Sequence, residues 1–425
     1  NTRTITRNLR RMTLPAQISV NFDFSSGATF GYPMTLGDLK YGLLGTGTLA
    51  ASSPAEPVYD LTDNVMNISI RRGRNIMRDT YEAGTATIRV NDPQSWFNPQ
   101  NVNSPFYGYL TPLRKIRVAA TYNGVGYFLF SGYTTNYIYT YPTNQDTGYV
   151  DIECSDAFRL MQLASVATVS GATAGQDTGT RIGKILDQVQ WPANMRAIDT
   201  GNTTCIADPA TTRAALNALK NAEFSEQGAF YINSNGTAVF KSRSNVIKAY
   251  DATPIEFNQS GGIPYRNLVF AFDDKLIVNT SDMTRYGGVK QSYSNNASIV
   301  KYFPHQSNQT DLVCQTDTDA FNIASIYVAT RQETTIRIDA MTVDLQDTAV
   351  PTATMLGLDY FSVLKITNNQ PDGSQIVKTL EAQGFAWDIT PNKMLVTITT
   401  LEPIVDGFTL DSAVQGIIGT SVLAY

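Results

Sequence analysis

Residues 115–141, KIRVAATYNGVGYFLFSGYTTNYIYTY, set the architecture. Lys115 to Tyr122 reads as a strand, Asn123-Gly124 supplies the positive φ angles of a tight two-residue turn, and Tyr127 to Tyr141 returns as the second arm of a long hairpin. Tyr149 to Cys154 lies beside it as a third strand. On the N-terminal side, apolar and polar residues alternate in Gln17–Phe22, Asn67–Arg71 and Thr85–Val90, so every second side chain can face a core. These stretches predict half-buried strands, and the abundance of Thr, Tyr, Val and Ile extends the β reading over much of the chain.

After about residue 165 the period changes. Ile182, Ile185, Leu186 and Val189 recur at helical spacing until Pro192, and a second helix is expected from Asp208-Pro209 to about Phe224. A hairpin follows, Ala229 to Ser234 and Thr237 to Lys241 about an Asn235-Gly236 turn. Beyond Thr253, strands are expected at Asn267–Phe272 and Lys275–Asn279, a helix around Ala320, Ile323, Ala324 and Tyr327, and a strand at Thr335–Leu345. The end of the chain is β again: Phe361–Thr367, a Pro371-Asp372-Gly373 turn, Ser374–Trp387 and Met394–Leu401.

An internal echo links the two β regions. Arg114–Ala157 and Val363–Pro403 share one plan: a strand, an Asx-Gly turn, a strand entering a Gly-aromatic step (Gly132-Tyr133; Gly384-Phe385), and an alternating return. The expected fold class is mainly β with α+β insertions, two related tube-like β-barrels and two smaller α/β domains. The expected division is 1–165 for the first barrel with an N-terminal arm, 166–253 for a small α/β domain of two helices and a hairpin, and 254–345 for a mixed β/α domain. Residues 346–403 form the second barrel, borrowing strands from 254–280, and 404–425 form a C-terminal arm.

Composition narrows the chemistry. The 425 residues carry 32 Lys+Arg against 37 Asp+Glu, a net charge of −5 that is too small for a nucleic-acid coat or an acidic tail. One histidine, His305, and cysteines at 154, 205 and 314 cannot write a zinc or Cys-x-x-Cys motif, so no metal and no cofactor is expected. A disulfide between two of the cysteines would leave the third unpaired. Arg3, Arg7, Arg10 and Arg11 resemble the start of a secretory signal, but Pro15, Gln17 and Ser19 interrupt the apolar run, and no stretch is long enough to span a membrane.

Catalytic templates also fail. Gly179-Thr180-Arg181-Ile182-Gly183-Lys184 has three residues between its glycines, and Ile185 stands where a phosphate-binding loop has Ser or Thr. Gly42-x-x-Gly45-x-Gly47 has the wrong order for dinucleotide binding and reads as a loop. Asp273-Asp274, Asp317 with Asp319, and Asp339 with Asp344 are the carboxylate pairs a glycosidase would need, but the first reads as a turn and the second as a helix cap. His305 reads as a surface or interface residue. In Arg71-Arg72-x-Arg74-x-x-x-Arg78, Arg72, Arg74 and Arg78 share one face of a strand; in the long hairpin the odd-numbered Tyr133, Tyr137, Tyr139 and Tyr141 share another. Arg72, Arg74, Arg78, Tyr133 and Tyr137 are therefore candidate subunit or glycan contacts.

Specific residues carry a resemblance. Ile68-Ser69-Ile70-Arg71-Arg72-Gly73-Arg74 followed by Tyr81-x-Ala83-Gly84-Thr85-Ala86-Thr87-Ile88 resembles the opening of minor tail proteins of tailed bacteriophages, the group that includes baseplate or tail-tip hub proteins. It continues through Trp96–Phe106, Leu110–Val118, Phe130-x-Gly132-Tyr133, Cys154-x-Asp156-Ala157, Ala297-Ser298-Ile299-x-x-Tyr302, the helix at Asp319–Thr330, and the closing Leu410-Asp411 to Tyr425. Phe303-Pro304-His305 departs from the glycine and basic residues often found there.

The resemblance implies a virion protein at the distal end of the tail, a homotrimer whose two barrels per chain alternate into a six-fold ring on the tail tube. Its implied partners are tail-tube ring proteins, the C-terminus of the tape-measure protein and a central fibre or tip protein, with double-stranded DNA passing at ejection. Enzymatic members carry activity in added domains, so no enzymatic role is implied. A carbohydrate-binding tail adhesin using the aromatic hairpin is the alternative, and a tail-associated hydrolase is a third reading.

Overall fold

Strand alternation and turn chemistry build most of the molecule. The computed structural model describes residues 14–25, 27–30, 58–76, 79–141, 148–334 and 336–402; the C-terminal arm, the Gly42–Gly47 loop and Arg78 lie outside these residues. The N-terminal half holds β1 (Gln17–Asp23), β2 (Val58–Asp60), β3 (Val65–Asn75) and β4 (Thr80–Asn91). Next come the meander of β5 (Lys115–Tyr122), β6 (Val125–Thr140) and β7 (Tyr149–Ser155), and α1 (Ala157–Leu163). The inserted segment runs through β8 (Ser165–Val166), α2 (Thr178–Gln188), β9 (Arg196–Ile198), β10 (Arg213–Ala214), α3 (Ala215–Glu226), the hairpin β11 (Ala229–Ile232) and β12 (Ala238–Lys241), and α4 (Arg243–Ala249).

Then follow β13 (Ile255–Asn258), β14 (Arg266–Ala271), β15 (Thr280–Arg285), β16 (Gln291–Ser294), α5 (Asn296–Tyr302), β17 (Gln306–Leu312) and α6 (Asp317–Ala329). The chain closes with β18 (Arg337–Asp344), α7 (Thr352–Gly357), β19 (Val363–Asn369), β20 (Gln375–Thr390) and β21 (Lys393–Leu401). The echo is visible at once: β5–β6–β7 and β19–β20–β21 are both antiparallel three-strand meanders around a 16-residue central strand.

Both meanders belong to one 13-stranded sheet, in the order β14-β18-β21-β20-β3-β4-β7-β6-β5-β1-β2, with β13 and β19 joined through β20. The mainly-β class with α/β insertions is what the structure has. The two expected barrels do not close among the described residues, because β20 gives the C-terminal half of its edge to β3 and the halves run on as one open sheet. In β4, Ala86, Ile88 and Val90 are buried while Thr85, Thr87 and Arg89 turn outward; in β21, Met394, Val396 and Ile398 do the same. Each buried Val, Ile or Met of these rows contributes roughly 1.5–3 kcal/mol, so a register slip would lose the whole inward row.

The Trp96–Phe106 stretch packs onto the N-terminal end of this sheet. Asp92 fixes it by accepting from Trp96 N at 2.7 Å and Phe97 N at 3.0 Å, and Phe97 and Phe106 join Phe22, Phe24 and Tyr59 in one aromatic cluster. A separate small core of Met283, Leu312, Cys314, Ala320, Ile323, Ala324 and Tyr327 lies between α6 and the sheet β16-β15-β17.

Two expected elements differ. The second helix begins at Ala215, not Asp208, because the Asp208 carboxylate pairs with Arg213 at 2.5 Å and accepts from Val169 N and Ala210 N, while Ala210 takes φ 53. Lys275–Asn279 is not a strand: Asp273 accepts from Lys275 N and Asp274 O accepts from Ile277 N, which makes a turn before β15. The short helices α4, α5 and α7 had no announced signal.

Candidate functional site at the weld of the two halves

β3 and β20 make the one strand pairing between the N- and C-terminal halves among the described residues, from Ile68 opposite Ile389 to Gly73 opposite Gly384. A Cβ on Gly73 would lie 2.7 Å from Gly384 Cα, so the absence of a side chain at Gly73 lets these strands come this close. Gly132, the other Gly-aromatic step of the echo, is held the same way: a Cβ there would meet the Phe130 ring at 2.5 Å and Ser155 O at 2.7 Å. The aromatics that follow, Tyr133 and Phe385, are both buried.

Charged side chains surround this weld. Arg72 is 6% exposed, with Nη1 3.1 Å from Asp359 Oδ1 and its guanidinium 5.0 and 5.1 Å from the Tyr360 and Phe385 rings. Asp79 bridges two cations, with Oδ1 2.5 Å from Arg74 Nη2 and Oδ2 2.5 Å from Arg331 Nη2. Burial opposes the Asp79 charge, but the two guanidinium groups outweigh it and hold the carboxyl below its usual range. Tyr81, Tyr231, Tyr360, Phe361 and Phe385 pack with ring centroids 4.8–6.3 Å apart, joining β4, β11 and the second meander.

Tyr81 Oη donates to Gln383 Oε1 at 2.5 Å, and Gln383 Nε2 donates to Glu381 Oε2 at 3.2 Å. Glu381 Oε1 has no protein hydrogen-bond partner, and burial pushes this carboxyl up to about 7. Glu381 borders a cavity of about 60 Å³ together with Arg74, Asp79, Glu223 and Arg331. The arrangement fastens three remote parts of the chain; it does not align a nucleophile with a base.

The sequence-derived candidates fall apart into interior and surface. Arg72 and Arg74 turn inward and carry the ion pairs above, and Arg71 is exposed. Tyr133 is 1% exposed, donates to Ala28 O at 2.6 Å and packs on Phe30. Tyr137 is half-buried, with its hydroxyl 3.1 Å from Thr134 Oγ1 and 3.3 Å from Thr111 O. The single aromatic face expected on β6 is not formed, because bulges at Leu129 and Thr135 shift the alternation and residues 129–134 are buried on both faces. Of the four tyrosines of that expected face, Tyr139 and Tyr141 remain exposed, stacked at 6.0 Å.

The carboxylate candidates are each committed elsewhere. Asp273 and Asp339 pair with Arg337 at 2.9 and 3.1 Å, Asp344 with Arg266 at 3.2 Å, and Asp317 with Arg285 at 2.7 Å. Asp319 closes a capping box with Thr316. Asp274 lies 3.9 Å from the His305 ring, whose Nε2 is 3.0 Å from Tyr302 O. Among the described residues no group of three or more His, Cys, Asp or Glu is placed to hold a metal ion, and no helix is long and apolar enough to cross a membrane.

Sequence reasoning missed Asp79, Arg331, Asp359, Glu381 and Gln383. The Arg331–Asp79, Arg72–Asp359 and Tyr81–Gln383 contacts span 252 to 302 residues of chain, and no local pattern announces them. The strand expected at Asn267–Phe272 is present as β14, but its place at the outer edge of the sheet, with Val269, Phe270 and the following Phe272 exposed, was not read from the sequence; the unalternating run Leu268-Val269-Phe270-Ala271-Phe272 was the available signal.

No family model matches the sequence, and no curated protein matches it. Solved structures do. A tail protein from Neisseria meningitidis MC58 superposes with a TM-score of 0.54 at 11% identity, covering 82% of this chain and 95% of that one. The 43 kDa tail protein of prophage MuSo2 from Shewanella oneidensis gives a TM-score of 0.53 at 11% identity, covering 82% and 96%. The resemblance to phage tail proteins read from the sequence is thereby met at the level of the fold, which this chain shares with both tail proteins over most of their length.

Proposed function

We propose that this chain is a structural, non-enzymatic tail protein of a phage virion, a homotrimeric hub that closes the distal end of the tail tube and takes part in opening it for DNA ejection. The observation that carries the reading is the pair of like meanders, β5–β7 and β19–β21, welded in one chain through β3 and β20. Three copies of a chain with two similar units present six similar faces, which adapts a six-fold tube to a three-fold tip. Under this reading 1–165 and 346–403 are the two tube-like units, the second extended by β13, β14 and β18 from 254–345; 166–253 and the rest of 254–345 build the cap, and 404–425 is an arm. Its partners are tail-tube ring proteins, the tape-measure C-terminus and a central fibre or tip protein. The weak net charge of −5 suits a ring that DNA crosses without binding.

An open sheet needs its edges covered, and the exposed Val269, Phe270 and Phe272 at β14 are the surface this reading gives to a neighbouring copy. Solution mass tests it. Three copies of the 46.6 kDa chain make 139.8 kDa, and light scattering at high concentration is expected to return that mass. A persistent monomer would contradict an autonomous trimer. The burial of Tyr133 and the inward turn of Arg72 and Arg74 give the glycan-binding alternative no supporting observation.

A further inference from the structure

Cys205 and Cys314 face each other in an antiparallel backbone bridge that joins two inserted segments. Cys205 N donates to Gln176 O at 2.7 Å, and Cys205 O accepts from Gly175 N at 2.9 Å. Both backbone groups are therefore turned away from Cys314. The hydrogen bond tying the two segments runs one residue further on, from Ile206 N to Val313 O at 2.9 Å. This is the non-hydrogen-bonded kind of antiparallel pair, in which facing Cα atoms lie about 4.5 Å apart and the side chains share one face. A disulfide spans Cα separations of about 4.4–6.8 Å, so backbone register alone brings this pair within reach.

The surroundings hold the register. Val313 N donates to Ser225 Oγ at 2.9 Å, which fastens the Cys314 segment to α3, and Cys314 belongs to the small core under α6. Both thiols are free and fully buried. Burial pushes each up to about 12, so in the closed structure they are protonated and unreactive. Cys154, on β7, is buried in the large sheet and takes no part in this bridge.

We propose that Cys205 and Cys314 are a disulfide-forming pair that cross-links the α2–α3 segment to the small sheet β15–β17 with α6 once the protein meets a low-molecular-weight disulfide oxidant. One cysteine, as thiolate, attacks the oxidant's S–S bond, forming a mixed disulfide and releasing one thiol. The second cysteine, as thiolate, attacks the protein sulfur of that mixed disulfide and releases the second thiol. The two cysteine protons end on the two released thiols, the cysteines lose two electrons and the oxidant gains them. In a reducing compartment the pair stays open, and in an oxidising medium it locks. Burial makes the first attack depend on local opening, or on oxidation before the bridge closes during folding.

The test uses the full chain, folded or refolded with oxidised glutathione, then denatured, alkylated and mapped by mass spectrometry. The expected result is a linked Cys205–Cys314 peptide pair, loss of two alkylatable thiols, a retained Cys154 thiol and a higher thermal midpoint than the reduced form. C205S is expected to abolish the link and leave Cys314 alkylatable or glutathionylated. Should C205S fail to fold, the wild-type thiol count decides by itself. Three alkylatable thiols after refolding in the oxidant, or a link that includes Cys154, overturns the proposal.

Discussion

At the residue scale, Gly73 opposite Gly384 marks a close approach of the two strands that join the halves. A methyl group on Gly73 would sit 2.7 Å from Gly384 Cα and 3.0 Å from Gln383 O, so Gly73→Ala is expected to lose about 1–3 kcal/mol of stability through strand displacement. Urea unfolding, compared with Ala substituted at the open Gly183 in α2, separates this from a general glycine effect. Glu381 sets a pH dependence of known sign. Its folded carboxyl is raised to about 7 from 4.5, so the stability linked to its protonated form is full below pH 4.5 and lost as pH rises through 7. The loss is on the order of 3 kcal/mol, and Glu381→Gln is expected to remove that part of the slope in thermal midpoints measured from pH 5 to 8. Asp156 is raised to about 7 by burial against its bonds from Gly84 N and Phe158 N, so it leaves a residual slope of the same sign. Asp79 acts in the opposite direction: lowered by Arg74 and Arg331, it stabilises above its unfolded value of about 3.8 and stops doing so as acid protonates it.

At the element scale, α6 is the clearest case of a helix set by its own residues. Thr316 Oγ1 accepts from Asp319 N while the Asp319 carboxylate accepts from Thr316 N, so Thr316→Ala is expected to cost about 1 kcal/mol. Hydrogen exchange should show this as reduced protection in the first turn of α6. Elements of this kind were legible in the sequence, because the cap, the Asn123-Gly124 turn and the alternation of β3, β4 and β21 are local facts. The echo of the two meanders was legible for the same reason. What was hidden depended on remote partners: Asp208 was drawn to Arg213 rather than to a helix end, and the bulges of β6 follow from pairing with β5 and β7. The inward pairing of Arg72 and Arg74 was hidden likewise, since an arginine stripe reads the same whether it meets solvent or Asp359.

For the whole molecule, the sparse charge and nearly absent histidine fit a protein whose work is assembly, with its ionic groups spent on joining its own halves. If β14 is a subunit edge, Phe270→Ser with Phe272→Ser, both at exposed positions, should leave the thermal midpoint within a few degrees while shifting the mass from 139.8 toward 46.6 kDa. Unchanged mass would move the subunit contact elsewhere. The central claim, a hub at the tail tip, is tested most directly by an averaged electron-microscopy reconstruction of the virion with this chain tagged. The account predicts three copies at the distal end of the tail tube, their six like units continuing the tube's six-fold ring; density along the shaft, at the head or nowhere in the particle would contradict it.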